Sequence, residues 1–344
     1  MKIIIDAMGG DNAPQAAVIG ALQASKEFGA QIILVGRGPE ILDVMRANGY
    51  ADLPEGVEIA HADDVVDMHD DPATVLHKRK NSSMVVGLKL LADGQGDAFV
   101  CAGSTGALLT GATLVVKRVK GIRRAAMGPL IPNQAGGRTV LLDCGANAEC
   151  SPEFLLQFGL VGSVYAKKTL GLANPRVGLL NIGTEDSKGT QLQKDTYALL
   201  QDAHAKGLLN FIGNVEAREA VKGTVDVVVC DGFSGNVLLK AIEGTASFMG
   251  KMISGMFKKN LITKLGALLY KKDITHMKKL LDYRETGGTP LLGIRKPVLK
   301  IHGESDELAF KNAVNQAMGV ASANIAQELE EGLKLLAAKE SGND

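Results

Sequence analysis

The chain has 344 residues, of which 46% are hydrophobic, and it carries equal numbers of basic and acidic residues, 38 of each. This share of apolar side chains suffices for a sizeable core and excludes global disorder. Zero net charge, 4% aromatic residues and the absence of tryptophan argue against a nucleic-acid-binding protein. The four cysteines include no CxxC pair, which favours buried thiols in a reducing compartment over a disulfide framework or a zinc site.

No segment of the sequence predicts a signal peptide or a membrane span. The residues after Met1 lack a long apolar stretch of the kind that signal peptides contain. Residues 98–116 carry no charge, but Gly103-Ser104-Thr105-Gly106 divides them into a strand and a helix. We therefore expect a soluble, cytoplasmic protein.

Short β-branched runs alternate with helical patterns along the chain, and each run ends in a polar or glycine-rich cluster. Continuous apolar strands that alternate with helices are typical of a parallel sheet covered on both faces. The sequence thus predicts an α/β fold with a mostly parallel sheet. The predicted strands are residues 2–5, 31–35, 57–60, 98–102, 139–142, 176–180, 209–212 and 226–230.

Two segments depart from this alternation. Residues 126–131 and 139–142 flank a turn-like sequence that begins at Pro132 and ends at Gly137, which predicts a hairpin and an antiparallel part of the sheet. Residues 305–339 have a long helical pattern with Ser305 or Asp306 as its cap. We treat residues 1–344 as a single α/β/α unit with a helical insertion at about 245–284, although two domains fit equally well.

Three strand-end clusters are rich in glycine and polar side chains. Gly103-Ser104-Thr105-Gly106 follows a strand and opens a helix, so its hydroxyl and N–H groups suit a phosphate. Ser104 or Thr105 taken alone is equally well explained as an N-cap. Residues 6–11 and 231–236 repeat the arrangement after two other strands. Three such clusters exceed what helix capping requires, which favours a polar ligand site at the sheet edge.

Charged residues elsewhere have a functional and a plain interpretation. In the loop 181–189, Lys188 is suited to neutralise phosphate or an oxyanion and Glu185 to orient a partner, but a solvated loop is the default. The basic patch His77–Lys80 suits an acidic substrate or carrier, or is simply an exposed helix face. The acidic, histidine-containing residues 61–71 fit no metal-binding spacing, so we interpret them as a solvated loop.

Residues 245–284 are strongly basic, with nine Lys and Arg against two Asp, a net charge of +7. Met and Phe residues recur there at helical spacing. A cationic amphipathic helix pair suits an anionic membrane surface or an acidic protein partner. The alternative is a helix packed on its own core or across a dimer interface.

Several of these motifs together resemble one known family. In chain order they are DAMGGD at 6–11, Met68-x-Asp70-x-Pro72, Arg79-Lys80-x-Ser82-Ser83-Met84, GSTGA at 103–107, Asp143-x-Gly145-Ala146-Asn147, NIGTE at 181–185, Lys188-Gly189, DGFSGN at 231–236 and His302-Gly303-x-Ser305-Asp306. This set is similar to that of the PlsX family, the acyl-acyl-carrier-protein:phosphate acyltransferases of bacterial phospholipid synthesis. Two small departures are Asn12, where the family often has His, and Glu304, where Ser is common.

The resemblance implies a three-layer α/β/α fold like that of phosphotransacetylases and the isocitrate and isopropylmalate dehydrogenases. It also implies a homodimer that associates loosely with membranes. The sequence itself shows no metal requirement, and we predict no cofactor. The reaction would move an acyl chain from acyl carrier protein to inorganic phosphate, giving acyl phosphate. Phosphate is itself the nucleophile, so positioning and charge stabilisation suffice for catalysis.

On this basis Lys188 and Asn236 are the predicted catalytic residues, which stabilise charge. The predicted phosphate and substrate contacts are Asp6, Gly9, Gly10, Asp11, Ser104, Thr105, Gly106, Asp143, Asn147, Asn181, Gly183, Thr184, Glu185, Asp231, Ser234, Gly235 and His302. The predicted contacts with carrier protein or membrane are Lys78, Arg79, Lys80, Lys251, Lys258, Lys259, Lys264, Lys271 and Lys272. Two rival hypotheses are a phosphotransacetylase that acts on a short acyl-CoA and a non-catalytic membrane scaffold for lipid enzymes.

Overall fold

The computed structural model describes the backbone of residues 1–341, with all side chains of that range except those at 261, 262, 265, 267, 276, 278–281, 283 and 335–341. The strands in this range are β1 (Lys2–Asp6), β2 (Gln31–Gly36), β3 (Val57–His61), β4 (Ala98–Cys101), β5 (Ala126–Met127), β6 (Leu130–Pro132), β7 (Arg138–Leu142), β8 (Arg176–Leu180), β9 (Asn210–Val215), β10 (Val227–Val229), β11 (Thr289–Leu292) and β12 (Val298–Lys300).

Helices connect and cover these strands. They are α1 (Gln15–Phe28), α2 (Gly38–Ala47), α3 (Val75–Lys78), α4 (Ser83–Ala92), α5 (Thr105–Gly111), α6 (Pro152–Leu170), α7 (Gln191–Ala205), α8 (Glu219–Lys222), α9 (Gly232–Lys258), α10 (Leu261–Leu269), α11 (Lys271–Leu281), α12 (Tyr283–Thr286), α13 (Glu307–Ser322) and α14 (Ile325–Ser341). A π-helical segment, Ala112–Lys117, continues α5.

The strands divide into two sheets. The first has the order β3-β2-β1-β4-β12-β11-β5 and is parallel from β3 to β12. The second has the order β6-β7-β10-β8-β9, with parallel pairing from β7 to β9. Every strand predicted from the sequence is present, and the mostly parallel α/β fold class is confirmed.

The predicted hairpin is present as β6 and β7, which pair antiparallel with Leu130 opposite Val140. The chain passes from the first sheet to the second between Met127 and Leu130, through Gly128 and Pro129. It returns to the first sheet at β11. The edges of the two sheets therefore face each other near these two crossings.

Each sheet buries its own core. Ile3, Leu34, Phe310 and their neighbours form one core between the first sheet, α1 and α13. Tyr165, Phe158, Leu142 and their neighbours form another between the second sheet and α6. Burial of these continuous apolar strands on both faces explains why the sequence shows no alternation along them.

The C-terminal helical pattern forms two helices rather than one. Asp306 caps α13, because its carboxylate accepts a hydrogen bond of 3.0 Å from the Ala309 N–H. Asn324 has a positive φ of 50° and separates α13 from α14. Such a left-handed residue ends a helix, so the predicted single helix is wrong at this point.

Helices also cover most of residues 245–284, as the sequence predicts. The long helix α9 begins at the end of β10, and α10 and α11 turn back from its far end. Several large apolar side chains on this segment are exposed, among them Phe248 at 60% and Leu269 at 84%. Whether the segment is an insertion in one unit or a part of a second domain stays a prediction.

Candidate active site

At the edge of the first sheet, Asp6 organises the loop that follows β1. Its Oδ1 accepts hydrogen bonds of 3.1 Å from the N–H groups of Met8 and Gly9. The Cys101 thiol at the end of β4 donates to Asp6 Oδ2 over 3.1 Å. Burial of the Asp6 carboxyl raises its pKa, and these donors partly oppose that shift. The buried Asp6 carboxylate thus fixes the backbone shape of the loop.

Glycine permits the close approach of three loops at this edge. A side chain at Gly9 would lie 2.9 Å from the Gly103 backbone nitrogen, and one at Gly10 would lie 3.0 Å from the Gly303 carbonyl oxygen. Gly10 also has a φ of +99°, which side chains disfavour. The Asp11 N–H donates to the Gly303 carbonyl over 2.8 Å. The structure therefore brings three sequence motifs together, around residues 6–11, 101–106 and 301–305.

The 103–106 loop places polar groups beside this contact. Ser104 is buried and precedes α5, but its side chain makes no capping hydrogen bond to the described helix. Thr105 opens α5 and lines the cleft described below. Gly106 packs against Pro72, since a side chain at Gly106 would lie 2.8 Å from the Pro72 Cγ. Simple capping does not explain Ser104.

Asp143 has the equivalent place in the second sheet, at the end of β7. Its carboxylate accepts hydrogen bonds from the N–H groups of Met127, Ala146 and Asn147, and from the Asn147 side-chain amide. Burial raises the pKa of the Asp143 carboxyl. The two sheets thus use the same device, a buried aspartate that shapes a glycine-containing loop.

The first turn of α9 packs directly on the 143–147 loop. Asp231 caps the helix by accepting from the Ser234 N–H and hydroxyl, both at 2.8 Å. A side chain at Gly232 would lie 2.6 Å from the Asn147 carbonyl oxygen, and one at Gly235 would overlap the Asp143 carbonyl oxygen. Spacing of three places both glycines on one helix face. Ser234 is therefore engaged in capping, while Asn236, two residues later, is exposed.

A cleft of about 1450 Å³ lies between the two sheet edges. The first sheet and its loops contribute Asp11, Thr105 and His302, and the second contributes Gly145 and Asn236. Of the predicted site residues, the cleft thus brings Asp11, Thr105, Asn236 and His302 together. Behind the cleft surface lie Asp6, Gly9, Gly10, Ser104, Gly106, Asp143, Asn147, Asp231, Ser234 and Gly235, which shape its loops.

The helices α9–α11 form one wall of this cleft. Apolar side chains of that wall include Ile253, Phe257 and Ile274. Of the lysines predicted to contact carrier protein or membrane, three line the cleft, namely Lys258, Lys264 and Lys271. The other three in this segment, Lys251, Lys259 and Lys272, are exposed and are not among the described residues that line it.

The loop that follows β8 contributes no described residue to the lining of the cleft. Asn181 closes it by donating to the Lys188 carbonyl over 3.1 Å, and Asn214 donates to the Glu185 carbonyl over 2.8 Å. Thr184, Glu185 and Lys188 are exposed. Of the described cleft-lining residues, none comes from this loop, which contains the predicted Asn181, Gly183, Thr184, Glu185 and Lys188.

In the predicted basic patch at 78–80, Arg79 forms ion pairs within the fold, whereas the two lysines are exposed. The Arg79 guanidinium pairs with the carboxylates of Asp64 at 3.1 Å and Asp70 at 2.9 Å. These contacts lower the pKa of Asp70 and tie the acidic 61–71 run to α3. Lys78 and Lys80 are exposed. The acidic run is thus partly neutralised by Arg79 within the fold.

Sequence reasoning missed several residues of the cleft. Lys300, at the end of β12, is the main one, because it is a buried cation that lines the cleft beside His302. The signal was a lysine that closes an apolar run, Pro297-Val298-Leu299. In the described part of the chain, no group of three or more His, Cys, Asp or Glu side chains is arranged to hold a metal ion.

Comparison with known proteins identifies the family. Residues 1–328 match the family described as fatty acid synthesis protein. The chain is 47% identical over 336 residues to the phosphate acyltransferase of Alkaliphilus oremlandii, a match that covers 98% of each chain. It is 43% identical over 331 residues to the phosphate acyltransferase of Clostridioides difficile, with 96% of each covered.

The chain belongs to the PlsX family of phosphate acyltransferases. It is thus an enzyme of the acyltransferase class, as its motifs predict. Its cleft, between two sheets with polar strand-end loops, is the site at which we expect this family's chemistry.

Solved structures show the same fold at low identity. A phosphotransacetylase from Streptococcus pyogenes is similar with a TM-score of 0.64 and 18% identity, covering 94% of each chain. A branched-chain phosphotransacylase from Enterococcus faecalis V583 is similar with a TM-score of 0.56 and 15% identity, covering 93% of this chain and 99% of that one. The predicted likeness to phosphotransacetylases is confirmed for the fold.

None of the described helices combines the length and the apolar character that a bilayer crossing requires.

Proposed function

We propose that this phosphate acyltransferase moves a fatty acyl group from acyl carrier protein to inorganic phosphate, giving acyl phosphate for phospholipid synthesis. The observation that carries the proposal is the cleft, which joins polar strand-end loops to an apolar helical wall. Its volume of about 1450 Å³ exceeds what phosphate alone needs. A long acyl chain and a carrier arm explain the additional room.

The reaction needs positioning more than it needs a protein nucleophile. A phosphate oxygen attacks the thioester carbonyl, and the tetrahedral intermediate expels the carrier thiolate, which takes up a proton to become the free thiol. We assign phosphate to the loop Ser104–Gly106, with Gly9 and Gly10 beside it. Backbone N–H groups and hydroxyls at this sheet edge suit the anion. Lysines on the opposite wall suit the acidic carrier protein.

Asn236 and Lys188 are our candidates for stabilising the oxyanion and the leaving thiolate. Asn236 lies on the cleft, where its amide can donate to an oxyanion, whereas Lys188 lies on the exposed loop after β8. We expect Asn236→Ala to lower kcat roughly a hundredfold, the usual effect of removing one oxyanion donor. We expect a measurable loss for Lys188→Ala as well.

Steady-state turnover at saturating phosphate tests both substitutions. Ser187→Ala, on the same exposed loop as Lys188, is the matched control. Full turnover by Lys188→Ala removes that residue from catalysis, and full turnover by Asn236→Ala does the same for Asn236.

Direct measurement of the product tests the reaction itself. Purified protein is incubated with radiolabelled phosphate and either a long-chain acyl carrier protein thioester or an acyl-CoA. We expect acyl phosphate to form efficiently with the carrier protein donor. Preference for acyl-CoA would instead indicate a phosphotransacetylase, and no acyl phosphate from either donor would refute the proposal.

The proposal includes two features of assembly, a homodimer and a loose contact with anionic membranes. Exposed apolar side chains on α9 and the net positive charge of 245–284 support such contacts. Among these side chains are Phe248, Met252 and Met256.

A further inference from the structure

Lys300 stands out in the described part of the chain as the only lysine or arginine that is buried, with 9% of its surface exposed. Lysine is almost never buried without a partner for its charge. Among the described side chains, no carboxylate forms an ion pair with it, and Asp6 and Asp11 act on it only at longer range. The fold therefore retains a buried cation without a direct carboxylate partner among the described side chains.

The topology places Lys300 at the same sheet edge as the proposed phosphate loops. β1, β4 and β12 are neighbours in the first sheet, and Lys300 pairs in register with Cys101. The ends of these strands carry Asp6, Cys101 and Lys300 side by side. Lys300 also lines the cleft together with Thr105 and His302. Its ammonium therefore lies where the 6–11, 101–106 and 301–305 loops converge.

Hydrogen bonds to two backbone carbonyls orient the Lys300 ammonium and leave one of its three N–H donors for another acceptor. Lys300 Nζ donates to the Ala102 carbonyl over 3.1 Å and to the Ile301 carbonyl. A charged lysine has three N–H donors. Two are thus directed at backbone carbonyls, and the third is left for a ligand in the cleft.

The charges around this end of the cleft require a cation if an anion is to bind. Asp11 and Glu304 line it and would repel phosphate. The other lysines that line the cleft come from the helices α9–α11, whereas the first sheet and its described loops contribute only Lys300. Lys300 itself is buried, so a charge-assisted hydrogen bond from its ammonium is stronger than one made at the surface.

We propose that Lys300 binds the inorganic phosphate substrate, donating its third N–H to a phosphate oxygen at the edge of the first sheet. This inference rests on the proposed function, because it takes phosphate as the substrate of this cleft. The bound anion would supply the direct ion pair that no described carboxylate makes with Lys300. The two carbonyls orient the ammonium before phosphate arrives.

Lys300→Gln is the main test, because the shorter amide keeps two N–H donors for the carbonyls but has no charge. We expect the KM for phosphate to rise roughly tenfold to hundredfold, as for the loss of a hydrogen bond to a charged group. The KM for the acyl donor should stay within about twofold, since in this proposal Lys300 contacts phosphate and not the acyl donor. Lys300→Arg restores the charge and should recover most of the phosphate affinity.

Lys296→Gln is the matched control. Lys296 also ties a strand end to a backbone carbonyl, donating to Leu91 over 2.8 Å, but it does not line the cleft. A purely structural lysine–carbonyl contact would give the same result at both positions. An unchanged phosphate KM in Lys300→Gln, or an equal rise in Lys296→Gln, would overturn the proposal.

Phosphate binding can also be measured without the acyl donor, as the rise in Tm with phosphate concentration. We expect the rise in the wild-type protein to be lost in Lys300→Gln and kept in Lys296→Gln. If no acyl phosphate forms but this pattern holds, the proposed function fails while the phosphate site stands. If acyl phosphate forms and Lys300→Gln keeps the full rise, the site assignment fails alone.

The Lys300→Arg protein carries the test if Lys300→Gln does not fold. Burial lowers the pKa of Lys300, so its charge is lost as pH rises, whereas arginine stays charged. Asp6, Asp11, Cys101 and His302 surround the group in both proteins. The wild-type phosphate KM should therefore rise with pH relative to that of Lys300→Arg, and parallel pH profiles would overturn the proposal.

Discussion

Gly235→Ala is expected to destabilise the protein by about 3 kcal/mol, the upper part of the range for overpacking a tight contact. The added methyl group would overlap the Asp143 carbonyl oxygen and lie 2.8 Å from the Cys230 sulfur. Backbone and a strand-end thiol cannot move aside as a flexible side chain can. The first turn of α9 must therefore lift off the 143–147 loop, and Asn236 moves with it.

Gly244→Ala is the control on the same helix. An alanine methyl group there would meet no described atom within 4 Å. Alanine is a better helix former than glycine, so this substitution should stabilise the protein by roughly 0.5–1 kcal/mol. Urea unfolding of both variants measures the difference, and acyl phosphate formation by the folded fraction measures the effect on Asn236. Equal stability of the two variants would show that α9 does not depend on this contact.

The sequence could predict the strand-end chemistry because it is local. An aspartate at the end of an apolar run, followed by a glycine within three residues, is visible in a window of about ten residues. Asp6, Asp143 and Asp231 each occupy such a position, and each accepts hydrogen bonds from the loop or helix that follows it. Asp306 likewise follows the pattern of an N-cap.

The division into two sheets could not be predicted, since strand pairing is a long-range property. β5 and β6 are separated by only Gly128 and Pro129, yet they belong to different sheets. β11 contains Pro290, a residue that argues against a strand in a sequence window. β12 has only three residues. Because neither strand is predicted from the sequence, the sequence does not predict that Lys300 lies at the strand ends of the first sheet.

The cleft depends on the same long-range contacts. Gly9 looks like a turn residue in the sequence, but its lack of a side chain permits the close approach of Gly103, 94 positions later in the chain. The three-loop contact also needs Gly303 from the far end of the chain. Single motifs thus predict candidate anion-binding residues, and only the fold shows which of these residues lie together.

The two lysine sets on α9–α11 are expected to separate carrier binding from membrane binding. Charge reversal to Glu of the cleft set should raise the KM for the acyl carrier protein roughly tenfold to hundredfold at low salt, because charge complementarity across an interface sets the encounter. The phosphate KM should not change. The cleft set is Lys258, Lys264 and Lys271.

Charge reversal of the outer set, Lys251, Lys259 and Lys272, provides the matched comparison. These side chains are exposed in the same helical segment and are not among the described residues that line the cleft. Each lysine near an anionic bilayer contributes about 1 kcal/mol, so loss of three should weaken binding to anionic vesicles roughly a hundredfold. Turnover with soluble acyl carrier protein should persist. Liposome flotation and steady-state kinetics measure the two effects, and identical behaviour of both sets would mean that one basic surface serves both partners.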